Sequence, residues 1–362
     1  MRISPIFRLP KKITEFEYWP YGIFYIPLYF YGFYLAFKAR SLMYFSTANP
    51  AMKYGGVMGE SKMKVLNYIH KEYLPKTLFF EANTTHRQVV FSLHSNGMSF
   101  PIIAKPNIGE RGKNVEKIED ESKLVAYLAT YPNQDFIIQE FVEAPIELGI
   151  LYYRFPHEDK GHISSVVLKE FLAVEGDGKA SLKMLIGNND RAKNRQNYLF
   201  EKYATQLDVV LPKGKKFYLE PIGNHCRGTK FLNGNHLINE QLVEVFDQIA
   251  ANINGFNYGR FDLKVSSLDA LYRGEGIKIL ELNGVSSEPA HIYDPNTKLL
   301  KAYKDLFFHA SLIQKIGVAN HKKGLPYSSL KTFLGDLMEF IFPHKRNTKS
   351  DIKIPHSGIA QN

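Results

Sequence analysis

Residues 259–265 read GRFDLKV and residues 277–283 read IKILELN. Each is a short, mostly apolar run of the kind that forms a strand, and each carries polar residues two apart. Residues two apart on a strand share a face. Arg260 and Asp262 are therefore expected to point one way together, as are Glu281 and Asn283, and Ile277 and Ile279 are read as preceding the latter two on the same face. Two carboxylates and an amide oxygen are hard ligands that suit Mg²⁺ or Mn²⁺ bridging phosphate oxygens; zinc would want His or Cys. Asp262, Glu281 and Asn283 are thus the candidate metal ligands. The plainer alternative is a surface ion pair beside a turn asparagine.

Upstream of these strands lie two further candidate pieces. Lys105 ends the run PIIAKP (101–106), and the loop after it holds Gly109, Arg111, Gly112 and Lys113. Glycines let backbone N–H groups approach phosphate oxygens, and the flanking cations neutralise their charge. The spacing is not that of a Walker loop. Next comes FIIQEFVEAPIELG (136–149), an apolar strand ending in a hinge. Backbone groups of Glu140 and Val142 could meet the edge of an adenine and Phe141 its face, while Glu147 could meet ribose hydroxyls, a common use of a carboxylate. A solvated lysine before a turn and an ordinary strand with charged flanks are the competing readings.

Short strand-like runs alternate with helical pattern along the whole middle of the chain. Val89–Leu93, 101–106 and 136–142 read as strands, and 117–131 as a helix that Asp120 or Ser122 can cap. Residues 149–155 and 163–174 look like paired strands, and a helix around 241–253 precedes the two metal strands. Leu330, Phe333, Leu334, Leu337, Met338, Ile341 and Phe342 keep helical spacing, which predicts a C-terminal amphipathic helix ending at Pro343. The fold class is α+β. A glycine-punctuated loop over 49–62 suggests a boundary near Gly59.

The 362 residues, 44% of them hydrophobic, suffice to bury a full core. A net charge of +10 favours anionic partners, although no nucleic-acid-binding motif is recognisable. The single cysteine, Cys226, excludes an internal disulfide and a thiolate zinc cluster, and a reducing cytoplasm fits best. Residues 18–37 carry no charge over about the length that spans a bilayer. Basic residues flank both sides (Lys11, Lys12; Lys38, Arg40), and no cleavage site follows, so it is a poor signal peptide. Pro20 and Pro27 would interrupt a helix, and tyrosines favour a membrane's wet edge. Spanning, lying in the interface and docking on the protein's own core all stay open.

In their order along the chain, Lys62, IIAKPNIGERG, IIQEFVEAPIELG, GRFD and LELNG resemble the ATP-grasp superfamily. The plan is that of D-alanine–D-alanine ligases and, through VEGDGKASLKMLI (174–186), of cyanophycin- and glutathione-synthesising relatives. The resemblance covers roughly 59–301. It implies two α+β subdomains clamping ATP, preceded by an aromatic helical segment (1–58). The grasp domain would span 59–320, its small subdomain about 62–140 and its large one about 141–320. A C-terminal helix (321–343) and a flexible tail (344–362) would follow. It also implies that Lys62 and Lys105 hold the phosphates under a lid at Gly109, Arg111 and Gly112. Gln139, Glu140, Phe141 and Val142 would line the adenine pocket, although Gln139 stands where these ligases often have glutamate. Glu147 would take the ribose and Lys169 a further phosphate. Asp262, Glu281 and Asn283 would hold Mg²⁺ or Mn²⁺, and Arg260 would stabilise the charge of acyl transfer.

The implied activity is an ATP-dependent carboxylate–amine ligase working through an acyl phosphate on small-molecule substrates. The alternatives are a grasp-fold phosphotransferase and a nucleotide-binding module at a membrane surface. A departure from the family is the aromatic segment, which stands where D-alanine ligases carry an α/β domain. The acceptor side is accordingly sought locally: Glu288 could hold an ammonium group, and Arg227, beside His225 in a glycine-flanked loop, could grip a carboxylate or phosphate. The expected location is the cytoplasm, with possible peripheral contact to the inner membrane face through the N-terminal segment.

Overall fold

A computed structural model describes residues 15–110 and 112–342. Arg111, the basic pair Lys11 and Lys12, Pro343 and the tail 344–362 lie outside the described residues. Two antiparallel sheets organise the middle of the chain. The first consists of β1 (Thr77–Phe80), β2 (Ile102–Pro106), β3 (Glu116–Ile118) and β4 (Phe136–Glu140) in the order β1-β4-β2-β3. Its strands alternate as their period of two dictates. Ile102, Ala104, Phe136 and Ile138 turn to the helices His86–Ser95 and Glu121–Thr130, where they pack on Val89, Leu93 and Leu124. Lys105 and Gln139 take the opposite face and line the central cleft.

The second sheet begins with β5 (Ile146–Tyr153) and β6 (His162–Glu170). A small unit follows, in which β7 (Ala173–Glu175) pairs with β8 (Lys216–Tyr218) beside three short helices around Leu182, Ile186 and Leu199. The sheet resumes with β9 (Lys230–Asn233), β10 (Tyr258–Val265) and β11 (Lys278–Asn283), in the order β11-β10-β5-β6-β9. One face packs Leu148, Ile150, Phe261 and Leu263 on Leu242, Phe246 and Ile249 of the helix Glu240–Ala251. Ile137 of the first sheet joins this core, so the two sheets share buried apolar surface. The two α+β subdomains expected from the sequence are present.

Two local expectations are corrected. Val89–Leu93 is helical, within His86–Ser95, which opens on a capping box between Thr85 and Gln88. Only one side of the run is buried: Val89 and Leu93, four apart, are inside, while Phe91 is 73% exposed. A short apolar run does not by itself separate strand from buried helix. The second correction concerns β11. Asp262 pairs with Glu281 but Leu263 pairs with Ile279, so Leu280 is an extra residue, a β-bulge. The bulge reverses the alternation: Ile277, Ile279 and Leu282 all face the core, and Glu281 and Asn283 are freed to face the cleft.

The N-terminal segment divides. A turn at Phe16–Tyr18 and a short helix at Tyr21–Phe24 dock on the protein's own core, with Phe16, Phe24 and Tyr25 against Ile292, Ala302 and Leu306. The helix Ile26–Ala39 then runs beside a 24-residue helix, Leu299–Lys322, and Tyr31 Oη lies 2.7 Å from Ser311 Oγ. Residues after it are built into the fold: the Asn49 side chain accepts from the Tyr258 N–H (2.9 Å) and donates to the Tyr258 carbonyl (2.7 Å). The C-terminal helix Leu330–Ile341 lays Phe333 and Leu337 on Met43, Tyr54 and Met58. The two apolar helices therefore dock in different places.

Candidate active site

The two sheets and the N-terminal segment enclose a cleft of about 750 Å³. Its floor is the polar face of β5, β6, β10 and β11, whose other face is core. Arg260 donates to Asp262 Oδ2 through Nε (3.2 Å) and Nη2 (3.0 Å), and Asn283 Nδ2 donates to the same oxygen (3.1 Å). Lys169 bridges the other side, with Nζ 2.9 Å from Glu147 Oε1 and 3.1 Å from Asp262 Oδ1. Burial alone would raise the Asp262 carboxyl, but Arg260 and Lys169 outweigh it and hold it at about 2. Burial works against the charged form of Lys169 as well, and Asp262 with Glu147 reverses this, lifting it to about 12.

Lys105 reaches the same cleft from the first sheet. Its Nζ donates to Gln139 Oε1 (3.1 Å) and across to the Leu280 carbonyl (3.0 Å), on the bulge of β11. Burial pulls it down to about 8, against the pull of Glu281. Such a desolvated cation gains from an arriving polyanion. Lys62, the first residue of the helix Lys62–Leu66, donates to the Gly109 carbonyl (2.5 Å) and sits 3.8 Å from Glu281 Oε1. Lys264 also faces the cleft, donating to the Val142 carbonyl (2.9 Å). These cations gather around Asp262 and Glu281, a local grouping that suits phosphate, while Glu17, Glu110, Glu140 and Glu288 also line the cleft.

The donor set fits a hard divalent ion. Asp262 Oδ1 is buried with only the Lys169 ammonium against it, at 3.1 Å, Glu281 is partly exposed to the cleft, and Asn283 stands beside Asp262. Among the described residues no three His, Cys, Asp or Glu side chains form a cage of their own. Asp262, Glu281 and Asn283 would hold Mg²⁺ or Mn²⁺ there, an ion that usually binds through one or two carboxylates together with substrate phosphates.

Other expected residues stand elsewhere or are already engaged. Gln139 positions Lys105, its Nε2 donating to Thr77 Oγ1 (3.1 Å). The Glu140 N–H donates to the Lys76 carbonyl (2.9 Å), so of the backbone groups expected at an adenine edge this one is taken, as is the Val142 carbonyl. The Phe141 ring lies between Lys117 Nζ (4.3 Å) and Lys264 Nζ (5.1 Å). Glu147 is buried against Gly223, where a Cβ would lie 2.2 Å from its carboxylate. Arg227, expected to grip substrate, donates instead to the carbonyls of Gly112 and Val115, both at 2.8 Å. It thereby ties the glycine loop to the small unit between β6 and β9. Gly112 has φ +68°, and a Cβ there would meet Asn224 at 2.6 Å, so this contact requires glycine.

Sequence reasoning missed Lys264, although Arg260, Asp262 and Lys264 share the period of two. It also missed the Leu280 carbonyl, which bonds Lys105 at the bulge, and one wall of the cleft. That wall is aromatic: Phe16, Trp19, Tyr21, Phe24 and Tyr25 line it with Tyr293.

No family model matches the sequence, and no curated protein matches it. Among solved structures, the chain is similar to a D-Ala:D-Ser ligase of Enterococcus faecalis, with 13% identity, a TM-score of 0.40 and coverage of 74% of this chain and 62% of that one. It is similar to a D-alanine–D-alanine ligase of Bacillus anthracis, with 13% identity, a TM-score of 0.43 and coverage of 78% and 72%. A bifunctional glutathione synthetase of Pasteurella multocida aligns with 14% identity, a TM-score of 0.36 and coverage of 71% and 38%. The chain thus spans under two thirds of the first and of the third. These are likenesses of fold.

Proposed function

We propose that the chain is an ATP- and Mg²⁺-dependent ligase of the ATP-grasp type that joins a carboxylate to an amine, releasing ADP and phosphate. The observation that carries this reading is the meeting of Lys62 and Lys105 with the Arg260–Asp262–Lys169 cluster, Glu281 and Asn283 in one cleft. In this reading Lys62 and Lys105 hold the phosphates under the loop at Gly109, Arg111 and Gly112. The residues 139–142 border the base, Glu147 takes the ribose, and Lys169 is a further cation toward the phosphates. Asp262, Glu281 and Asn283 would hold Mg²⁺ or Mn²⁺, which would supply charge neutralisation at the phosphates. A carboxylate oxygen attacks the γ-phosphorus as its bond to the β–γ bridging oxygen breaks. The amine nitrogen then attacks the acyl carbon and loses its proton, and inorganic phosphate leaves. Arg260 is placed to stabilise the oxyanion, and no enzyme nucleophile is required. Arg227 acts by holding the loop closed. ADP release should require both a carboxylate and an amine in a screen of small-molecule pairs; steady ATP turnover indifferent to both would sink the ligase reading.

The location we infer is the cytoplasm, in contact with the inner membrane face. Among the described residues no helix is long and apolar enough to cross a membrane. The helix Ile26–Ala39 instead exposes Phe30 (73%), Phe33 (66%) and Phe37 (84%) at helical spacing, next to Lys38 and Arg40, and Leu334, Met338 and Ile341 are exposed on the C-terminal helix. An apolar stripe beside basic residues suits an anionic lipid surface. Vesicles of phosphatidylglycerol and phosphatidylcholine should sediment the protein at low salt, less so as salt screens the charges. The triple variant F30S/F33S/F37S should stay in the supernatant. Wild-type protein that ignores such vesicles at low salt would refute the contact.

A further inference from the structure

The aromatic wall lines the same cleft as the phosphate-side lysines, and it is chemically distinct from the floor. Phe16 stacks on Phe24 with centroids 5.3 Å apart, and Tyr21 stacks on Tyr25 at 4.1 Å. Tyr25 Oη lies 2.9 Å from Tyr293 Oη, and Tyr293 donates to Glu288 Oε2 at 2.5 Å. Burial pushes both phenols well above their ordinary range, so they stay protonated and serve as donors.

The two carboxylates beside this wall differ. Glu17 is already neutralised by Arg191 at 2.8 Å, with His225 at 3.6 Å. The Glu288 carboxylate holds a phenol, and among the described residues no cation pairs with it directly, Arg260 acting on it only from a distance. It stands five residues after Asn283, and its backbone carbonyl is 3.5 Å from Arg260 Nη1. A carboxylate in no direct ion pair among the described residues, set among ring faces, attracts an ammonium group by charge and by cation–π contact and repels a second carboxylate.

We propose that this aromatic wall is the acceptor subsite and that it takes a primary amine carried on an apolar body about the size of an aromatic ring, with the ammonium at Glu288. The proposal rests on the ligase reading and narrows it. It gives the N-terminal segment a role: residues 16–25 build the acceptor wall from a part of the chain that precedes both sheets. An amine with no apolar body would gain nothing from the Trp19, Tyr21 and Tyr293 rings that line the cleft, and an aromatic acid would meet Glu288 with the wrong charge.

Trp19 belongs to this wall and is the only tryptophan of the chain, so its fluorescence reports occupancy directly. Phenethylamine titrated into the full chain should give a saturable change, and 3-phenylpropionate, the same ring with a negative charge, should give none. Glu288→Gln should weaken the phenethylamine response at least 10-fold, and Tyr293→Phe, which removes only the hydroxyl that donates to Glu288, should weaken it less. Melting curves of each variant establish that it is folded. No saturable response in the wild type, an equal response to the acid, or an unchanged response in folded Glu288→Gln would each overturn the subsite. Nucleotide binding is followed separately by the rise in melting temperature with MgATP. A protein that binds phenethylamine through Glu288 but gains nothing from MgATP would sink the ligase reading and leave the subsite standing.

Discussion

Glu281→Gln and Asp262→Asn are each expected to lower Mg²⁺-dependent ADP release by about 10³-fold or more, the scale on which phosphoryl transfer depends on charge-stabilising groups. The two variants should differ in stability. Glu281 is partly exposed and pairs with Lys62 only at 3.8 Å, so its neutral isostere should melt with the wild type. Asp262 is buried between Arg260 and Lys169. Removing its charge leaves those cations facing each other, and breaking a buried pair in this way costs about 3–5 kcal/mol. Asp262→Asn should therefore melt measurably lower. The two measurements together separate a site from a brace: a merely structural carboxylate at 281 would leave turnover intact, and wild-type rates in both variants would remove the metal assignment.

How far the sequence could be read depended on how local the cause was. The pairs Arg260 with Asp262 and Glu281 with Asn283 were legible because a strand's period of two is a property of the chain itself. Their relation to the core was not. The bulge at Leu280, set by pairing with β10, moved Ile277 and Ile279 to the opposite face from Glu281. Val89–Leu93 was misread because an apolar run carries no period, and the capping box that marks the helix lies just upstream at Thr85 and Gln88. Arg227 looked like a substrate ligand by residue type, but it is held by carbonyls more than a hundred residues away and, more loosely, by Glu220. Lys105 was found at the end of its strand, whereas its contact with Leu280 joins two sheets and has no trace in either segment alone. The role of residues 16–25 as a wall was hidden for the same reason: aromatic composition shows that a surface seeks burial, not which cavity it borders.

In the proposed reaction a carboxylate becomes an acyl phosphate before nitrogen attacks it. That species is an electrophile, and hydroxylamine is a nucleophile small enough to enter a cleft of about 750 Å³ and compete with the natural amine. With ATP, Mg²⁺ and a carboxylate that supports ADP release, hydroxylamine in place of the amine should yield the carboxylate's hydroxamate in step with ADP. None should form without ATP or with Glu281→Gln. ADP released steadily while no hydroxamate accumulates would contradict the acyl phosphate and move the assignment to a phosphotransferase built on the same grasp.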